Sequence, residues 1–264
     1  MSLTFSAITP HPPIIIPTIG KDELKNAQKT ILAMQKLEKD FIKAKPDIVI
    51  IISPHAPLLP DSFAISSNSP LSGNFENFGD FKTQLHFEND LDLIQKIANE
   101  AKKGNIAVKL NDNDFIDHGA LVPLYYLSQS YKNFKLVHLS FSFKSLRDHF
   151  KYGKIIKKVI ASEKNKKIAL IASGDLSHRI TKDAPADYNP DGAKFDKKLI
   201  ELLKENKVEK ILNLDPEFIE NAGECGLRSI IILLGVLANN SYKMEIMSYE
   251  APFGVGYLVA DISH

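Results

Sequence analysis

Four of the eight histidines in this 264-residue chain share one kind of setting. His11 lies in "TPHPP", His55 in "SPHAP", His118 in "DFIDHGALVPL" and His178 in "SGDLSHR", each in a turn-rich segment beside an apolar run. One such histidine reads as a loop residue bonded to backbone. Four read as a site, because neutral imidazole is the commonest metal ligand and proline stiffens the chain that presents it. Two imidazoles need a third donor to make a catalytic metal site. A carboxylate would give the two-His, one-carboxylate face of non-haem Fe(II) oxygenases. Glu224 in "NAGECGLRSIIILLG" is the candidate, at a Gly-rich turn that leads into a very apolar helix. A helix N-terminus alone also explains an acid there, since it favours negative charge by roughly 0.3–1 kcal/mol. Cys225 is the competing donor, and a thiolate would favour Zn(II) or Cu(I). Its plain alternative is a small buried residue opening the helix.

Other residues carry weaker signals. Asp117 and Asp175 adjoin the histidine motifs and either orient imidazoles or form turns and caps. Tyr125 and Tyr126 follow His118 on a helix and are expected in the core. His86 and His138 fall in strand-like runs, where packing or an exposed sheet position is expected. His149 on a helix and His264 at the terminus are not site candidates. Nucleophile-elbow, zincin, P-loop and dinucleotide fingerprints are absent, which argues against those classes.

The elements that would position the histidines alternate between strand and helix. "LTFSAI", "DIVIIIS", "IAVKL", "FKLVHLSFS" and "KIALIAS" read as strands, separated by helices over about 21–43 and near 90–103, 120–130 and 145–163. The first helix shows the 3.6-residue period in Leu24, Ala27, Ile31, Met34, Leu37 and Phe41. Continuous apolar strands such as "DIVIII" and "KIALIA" require helices on both faces. The expected fold is therefore α/β, a three-layer αβα arrangement with a mostly parallel or mixed central sheet, in one domain over 1–264. Ligands in such sheets bind beyond the carboxyl ends of the strands, where His11, His55 and His178 stand. Several helices over about 191–237 and two closing strands complete the chain. The insert 66–81 is expected as a surface or site-bordering loop.

A hydrophobic share of 44%, a charged share of 25% and a net charge of +1 describe a globular protein, with no field for collecting nucleic acid or anionic lipid. The longest apolar run, "SIIILLGVLA", is short of the roughly 20 residues that span a bilayer. A lone cysteine makes no internal disulfide, and a cytoplasmic location is expected.

The segments "TPHPP", "SPHAP", "DHGALVPL" and "SGDLSH", in this order and followed by a late Glu before an apolar helix, resemble the class III extradiol ring-cleaving dioxygenases. The likeness is to the catalytic B-type subunit of protocatechuate 4,5-dioxygenase and its relatives, in a superfamily that also contains the Memo-like proteins. It covers nearly the whole chain, and "DHGALVPL" is its most specific element. The resemblance implies that His11, His55 and Glu224 hold Fe(II), with Zn(II) or Cu as alternatives. It places His118 and His178 facing substrate, with His178 as the acid–base residue. Cys225 departs from it, since Memo-like proteins carry Cys-Gly at this helix start with the cysteine towards the metal. The implied reaction is extradiol cleavage of a small aromatic diol by O2. The alternative is a Memo-like metal- or ligand-binding or redox protein that keeps the pocket without ring cleavage. A homo-oligomer or a small companion subunit that lids the site is the partner such relatives suggest.

Overall fold

The computed structural model describes residues 2–263, so His264 lies outside it. The described residues form ten strands, β1 (Leu3–Thr9), β2 (Ile48–Ser53), β3 (Phe63–Ser66), β4 (Leu71–Phe75), β5 (Asp80–Phe87), β6 (Val108–Asn111), β7 (Lys135–Ser140), β8 (Ile168–Ser173), β9 (Lys243–Glu250) and β10 (Tyr257–Ser263). The α-helices are α1 (Pro17–Gly20), α2 (Gln28–Ala44), α3 (Leu91–Lys103), α4 (His118–Leu127), α5 (Leu146–Ser162), α6 (Pro190–Lys204), α7 (Val208–Leu212), α8 (Pro216–Ala222) and α9 (Leu227–Leu237).

Eight strands make one sheet in the order β6-β3-β7-β2-β8-β1-β10-β9. Its middle is parallel, β7 to β2 to β8 to β1, and the pairings of β3 with β7, β1 with β10 and β10 with β9 are antiparallel. The sheet is mixed with a parallel centre, as expected. Every residue of β2 and β8 is buried, and alternation along them divides the core in two. Ile48, Ile50 and Ile52 pack with α3, α5, α6 and α9, while Val49 and Ile51 face α2 and α4. Both faces of the sheet are thus covered, which is why these strands carry unbroken apolar sequence.

Two expectations are corrected. The helix over 21–43 is α-helical only from Gln28, and Lys21–Ala27 is 3-10. Lys21 adopts the left-handed φ of 46°, and no side chain caps either segment, so the first turns wind tightly instead of continuing the α-helix. The insert 66–81 is not a plain loop, because β4 and the start of β5 lie in it and pair as a two-stranded antiparallel ribbon. Strand β5 has a mostly exposed middle and joins no core sheet, so its sequence lacks the alternation that marks a half-buried strand.

Candidate metal centre at the carboxyl ends of the strands

Parallel β1, β8 and β2 are neighbours, so the loops after them converge at one edge of the sheet. His11 follows β1 by two residues and His55 follows β2 by two, and their Nε2 atoms lie 3.1 Å apart. The Cys225 Sγ, from the turn between α8 and α9, is 3.7 Å from His11 Nε2. These three donor atoms all lie within 4.8 Å of one another. His11 is buried, Cys225 is partly covered and His55 is exposed, so the cluster opens on the His55 side.

The hydrogen bonds fix one tautomer. Ser173 Oγ donates to the Gly119 carbonyl at 2.5 Å, which leaves it to accept from His11 Nδ1 at 3.1 Å. His11 therefore carries its proton on Nδ1 and turns the Nε2 lone pair to the cluster. Burial lowers the His11 pKa to about 3, with the neighbouring His55 adding to the effect, so the ring is neutral at physiological pH. A tetrahedral ion with metal–N near 2.05 Å and metal–S near 2.3 Å would separate N from N by about 3.3 Å and N from S by about 3.6 Å. The observed 3.1 and 3.7 Å fit that spacing.

Glu224 is not brought into this cluster. Its side chain, 1% exposed, turns to the other side of the chain, accepts from Leu227 N at 2.5 Å and sits 3.7 Å from Arg228 Nη1. It caps the first turn of α9, the role its helix-start position allowed. Burial raises its pKa to about 7 against the pull of the Leu227 amide and Arg228. Cys225 is instead held towards the histidines by close backbone contact. Its N donates to the Asp175 carbonyl at 3.2 Å, and Asp175 N approaches Sγ at 3.3 Å. A Cβ on Gly174 would overlap the Gly226 backbone, so only glycines let the two loops come this near. Burial, then the charges of Asp175 and Glu224, push the Cys225 thiol pKa well up. Without a cation beside it the sulfur keeps its proton.

His118 and His178 flank the cluster. His118 stacks on His55 with centroids 4.2 Å apart, and Phe78, between β4 and β5, meets the His118 ring edge-on at 5.2 Å. The 66–81 insert therefore does border the site. Burial, then the charge of His55, lowers the His118 pKa to about 4. His178 Nδ1 lies 2.8 Å from the Gly223 carbonyl, which can only accept, so Nδ1 carries a proton and Nε2 is the nitrogen left to exchange one.

Asp117 and Asp175 act in the ways the sequence allowed. Asp175 Oδ1 accepts from His11 N at 2.9 Å, and burial raises its pKa to about 6. Asp117 Oδ1 caps α4 by accepting from Gly119 N at 2.8 Å, and it also accepts from Ser53 Oγ at 2.5 Å. Ser53 Oγ in turn accepts from His55 N at 3.2 Å. On its other side Asp117 Oδ2 meets His138 Nε2 at 2.9 Å, and His138 Nδ1 meets Ser66 Oγ at 3.1 Å. Burial opposes ionisation of Asp117, but bonds from His138 and Ser53 and the nearby charge of His138 outweigh it and hold the carboxyl well below its usual range. The glycine of "DHG" is required for the same closeness, since a Cβ on Gly119 would overlap Ser53 Oγ.

His138, Ser53 and Ser173 were not singled out as site residues from sequence. Each ends or lies inside an apolar strand, and its partner is distant in sequence, 64 residues for Ser53 and Asp117, 21 for His138 and Asp117, and 162 for Ser173 and His11. A polar residue buried in an otherwise apolar strand was the available signal. Tyr126 is in the core, as expected, and its hydroxyl bonds to the Ile15 carbonyl. His149 is buried against Ser142 and Ser145, away from the cluster.

A family model described as the catalytic LigB subunit of aromatic ring-opening dioxygenase matches residues 6–260. The chain belongs to the LigB family. Protein CA_C1420 of Clostridium acetobutylicum is 37% identical to this LigB chain over 266 residues, 97% of this chain and 57% of that protein. The 3,4-dihydroxyphenylacetate 2,3-dioxygenase of Escherichia coli is 28% identical over 64% of each chain. The chain thus spans less than two thirds of the length of either relative. The 2-aminophenol 1,6-dioxygenase beta subunit of a Pseudomonas species is 24% identical over 96% of this chain and 92% of that one. Among solved structures, uncharacterized protein JW3007 from Escherichia coli K12 shares the LigB chain's fold, with a TM-score of 0.69 and 17% identity over 98% of this chain and 100% of that one. No helix among the described residues is long and apolar enough to cross a membrane.

Proposed function

We propose that this LigB chain is a metal-dependent oxygenase acting on a small aromatic diol with O2, its ion held by His11, His55 and Cys225. The observation that carries the reading is the spacing of three donor atoms suited to one ion, open on the side where the His118 ring is stacked. Membership of the family and the two relatives named as aromatic-ring dioxygenases support extradiol cleavage as the reaction. A bound ion would supply Lewis acidity for the diol oxygens and a redox path to O2.

The chain's own groups then have separate tasks. His178, through Nε2, takes a phenolic proton and returns it later in the reaction. His118, neutral at pH 7 because of its lowered pKa, offers one N–H to substrate or dioxygen without adding charge. Phe78 and the stacked imidazoles border the opening through which substrate would enter. A small companion subunit or a second copy covering the exposed His55 side is part of this proposal, as is a cytoplasmic location, which suits a reduced lone cysteine.

Cys225 favours a second reading. A thiolate in place of the carboxylate of a facial triad suits Zn(II) or Cu(I) better than Fe(II), the donor set of a Memo-like redox or ligand-binding protein that keeps the pocket without ring cleavage. The test is metal stoichiometry after anaerobic loading with Fe(II), Zn(II) or Cu(I), on the wild type, Cys225→Ala and Glu224→Ala. The expected result is about one ion per chain, lost in Cys225→Ala and kept in Glu224→Ala. The reverse pattern would overturn the ligand set. Oxygen uptake by the Fe(II)-loaded protein with substituted catechols, giving a ring-opened product, supports cleavage, and metal binding without uptake supports the second reading.

A further inference from the structure

We propose that a cavity behind the Gly223–Glu224 turn is a binding site for an organic anion, a carboxylate or phosphate on an apolar body. It is separate from the cluster of His11, His55 and Cys225 and does not rest on the metal reading. The cavity encloses about 740 Å³ between the start of α5, the α7–α8 region and the start of α9. Lys144, Arg147, Arg179 and Arg228 line it, against two carboxyl groups, Glu220 and Glu224. Leu214 and Ile219 give it an apolar wall.

The arginines have unspent donors. The Nε atoms of Arg179 and Arg228 are both buried with no hydrogen-bond partner. Burying an N–H without a partner is costly, so two such groups beside one cavity need an explanation. Among the described residues the Arg179 guanidinium makes no ion pair. Its stem lies over Gly223, where a Cβ would come 3.0 Å from Nε, and the Gly223 φ of +59° favours glycine at this position. Arg228 lies 5.8 Å from the Phe141 ring centroid, and its ion-pair partner among the described residues, Glu224 at 3.7 Å, is beyond hydrogen-bond reach. Arg147 is already engaged by Glu209 and Asn213 at 3.1 Å each, so it contributes at the rim. A planar oxyanion between the two guanidinium groups would take charge-assisted bonds from the N–H groups that line the cavity, and the apolar wall would take the rest of the ligand.

The probes are inorganic phosphate, phenyl phosphate, succinate and benzoate, titrated calorimetrically into the full chain at low salt and again at 0.5 M NaCl. The variants are Arg179→Gln, Arg228→Gln and, on the metal cluster, His55→Ala. Circular dichroism confirms folding of each, and Lys144→Ala, at a half-buried position, serves if an arginine variant does not fold. At least one probe is expected to bind the wild type, more weakly at high salt, with about tenfold lower affinity in each glutamine variant and unchanged affinity in His55→Ala. Tighter binding of phenyl phosphate than of phosphate, or of benzoate than of succinate, would show that the wall is used and which head group is preferred. Absence of binding by all four probes, binding undiminished in both arginine variants, or binding lost in His55→Ala would overturn the proposal.

Discussion

Asp117 joins the two histidine motifs through one carboxylate, so Asp117→Asn perturbs both at once. An asparagine oxygen can still accept from Ser53 and from the Gly119 amide that begins α4. Its NH2 group, however, meets the N–H of His138, which must move to the other ring nitrogen or point at a donor. The native contacts are 2.5 Å from Ser53, 2.8 Å from Gly119 N and 2.9 Å from His138, all buried. A hydrogen bond to a charged group contributes about 1.5–3 kcal/mol, and the change removes the charge from all of these while reversing one. The expected destabilisation is about 2–4 kcal/mol, a large part of a typical 5–15 kcal/mol total. Affinity for Zn(II) should fall by about 10–100-fold, because Ser53, which accepts from the His55 amide, loses its fixed partner. Urea unfolding and chelator competition measure the two effects. A double-mutant cycle with His138→Leu isolates the Asp117–His138 contact, with a coupling above about 1 kcal/mol expected. Additivity within about 0.5 kcal/mol, or metal affinity unchanged in Asp117→Asn, would refute the idea that this carboxylate organises the site.

Two further outcomes follow from buried groups. Ser173→Ala removes the acceptor of His11 Nδ1–H and should weaken Zn(II) binding by about 10–100-fold with little change in the circular dichroism spectrum; unchanged affinity would mean that the deduced tautomer is wrong. Asp196, buried on α6, accepts from Ser177 N and Tyr249 Oη at 2.8 Å each, and burial raises its pKa from 3.8 to about 7. Because the unfolded chain ionises first, this group lowers stability as pH rises from about 4 to about 7, by up to roughly 4 kcal/mol. Asp196→Asn should therefore gain on the wild type in urea melts at pH 8 relative to pH 4.5. His149, whose pKa is lowered to about 4 chiefly by burial, acts in the opposite direction between 4 and 6.5, but equally in both proteins, so it cancels from the comparison. A difference independent of pH would contradict the assigned shift.

The central strands were legible because burial on both faces leaves no polar position to confuse the reading, as in Ile48–Ile52 and Ile168–Ala172. The placing of His11 and His55 was legible for the same reason, since strand ends are marked by the prolines that follow. The ribbon of β4 and β5 was not, because its strands pair mainly with each other and their exposed residues show no core period. Nor did local sequence decide between Glu224 and Cys225. Neighbouring residues in a turn point to different sides, and which one faces the histidines depends on Gly226 meeting Gly174, 52 positions earlier in the chain. The strand residue His138 reads as packing until Asp117, from a separate loop, is placed beside it.

The back-to-back contact of Gly174 and Gly226 also separates two jobs that a shared turn would otherwise entangle. With the backbone wedged there, Glu224 is committed to capping the start of α9, and of these two neighbours it is position 225 that presents an atom to the imidazoles. Exchanging sulfur for oxygen at that one position, as in Cys225→Asp, changes the hardness of the donor set while leaving the helix start untouched. The chain thus carries its choice of element in a single replaceable letter.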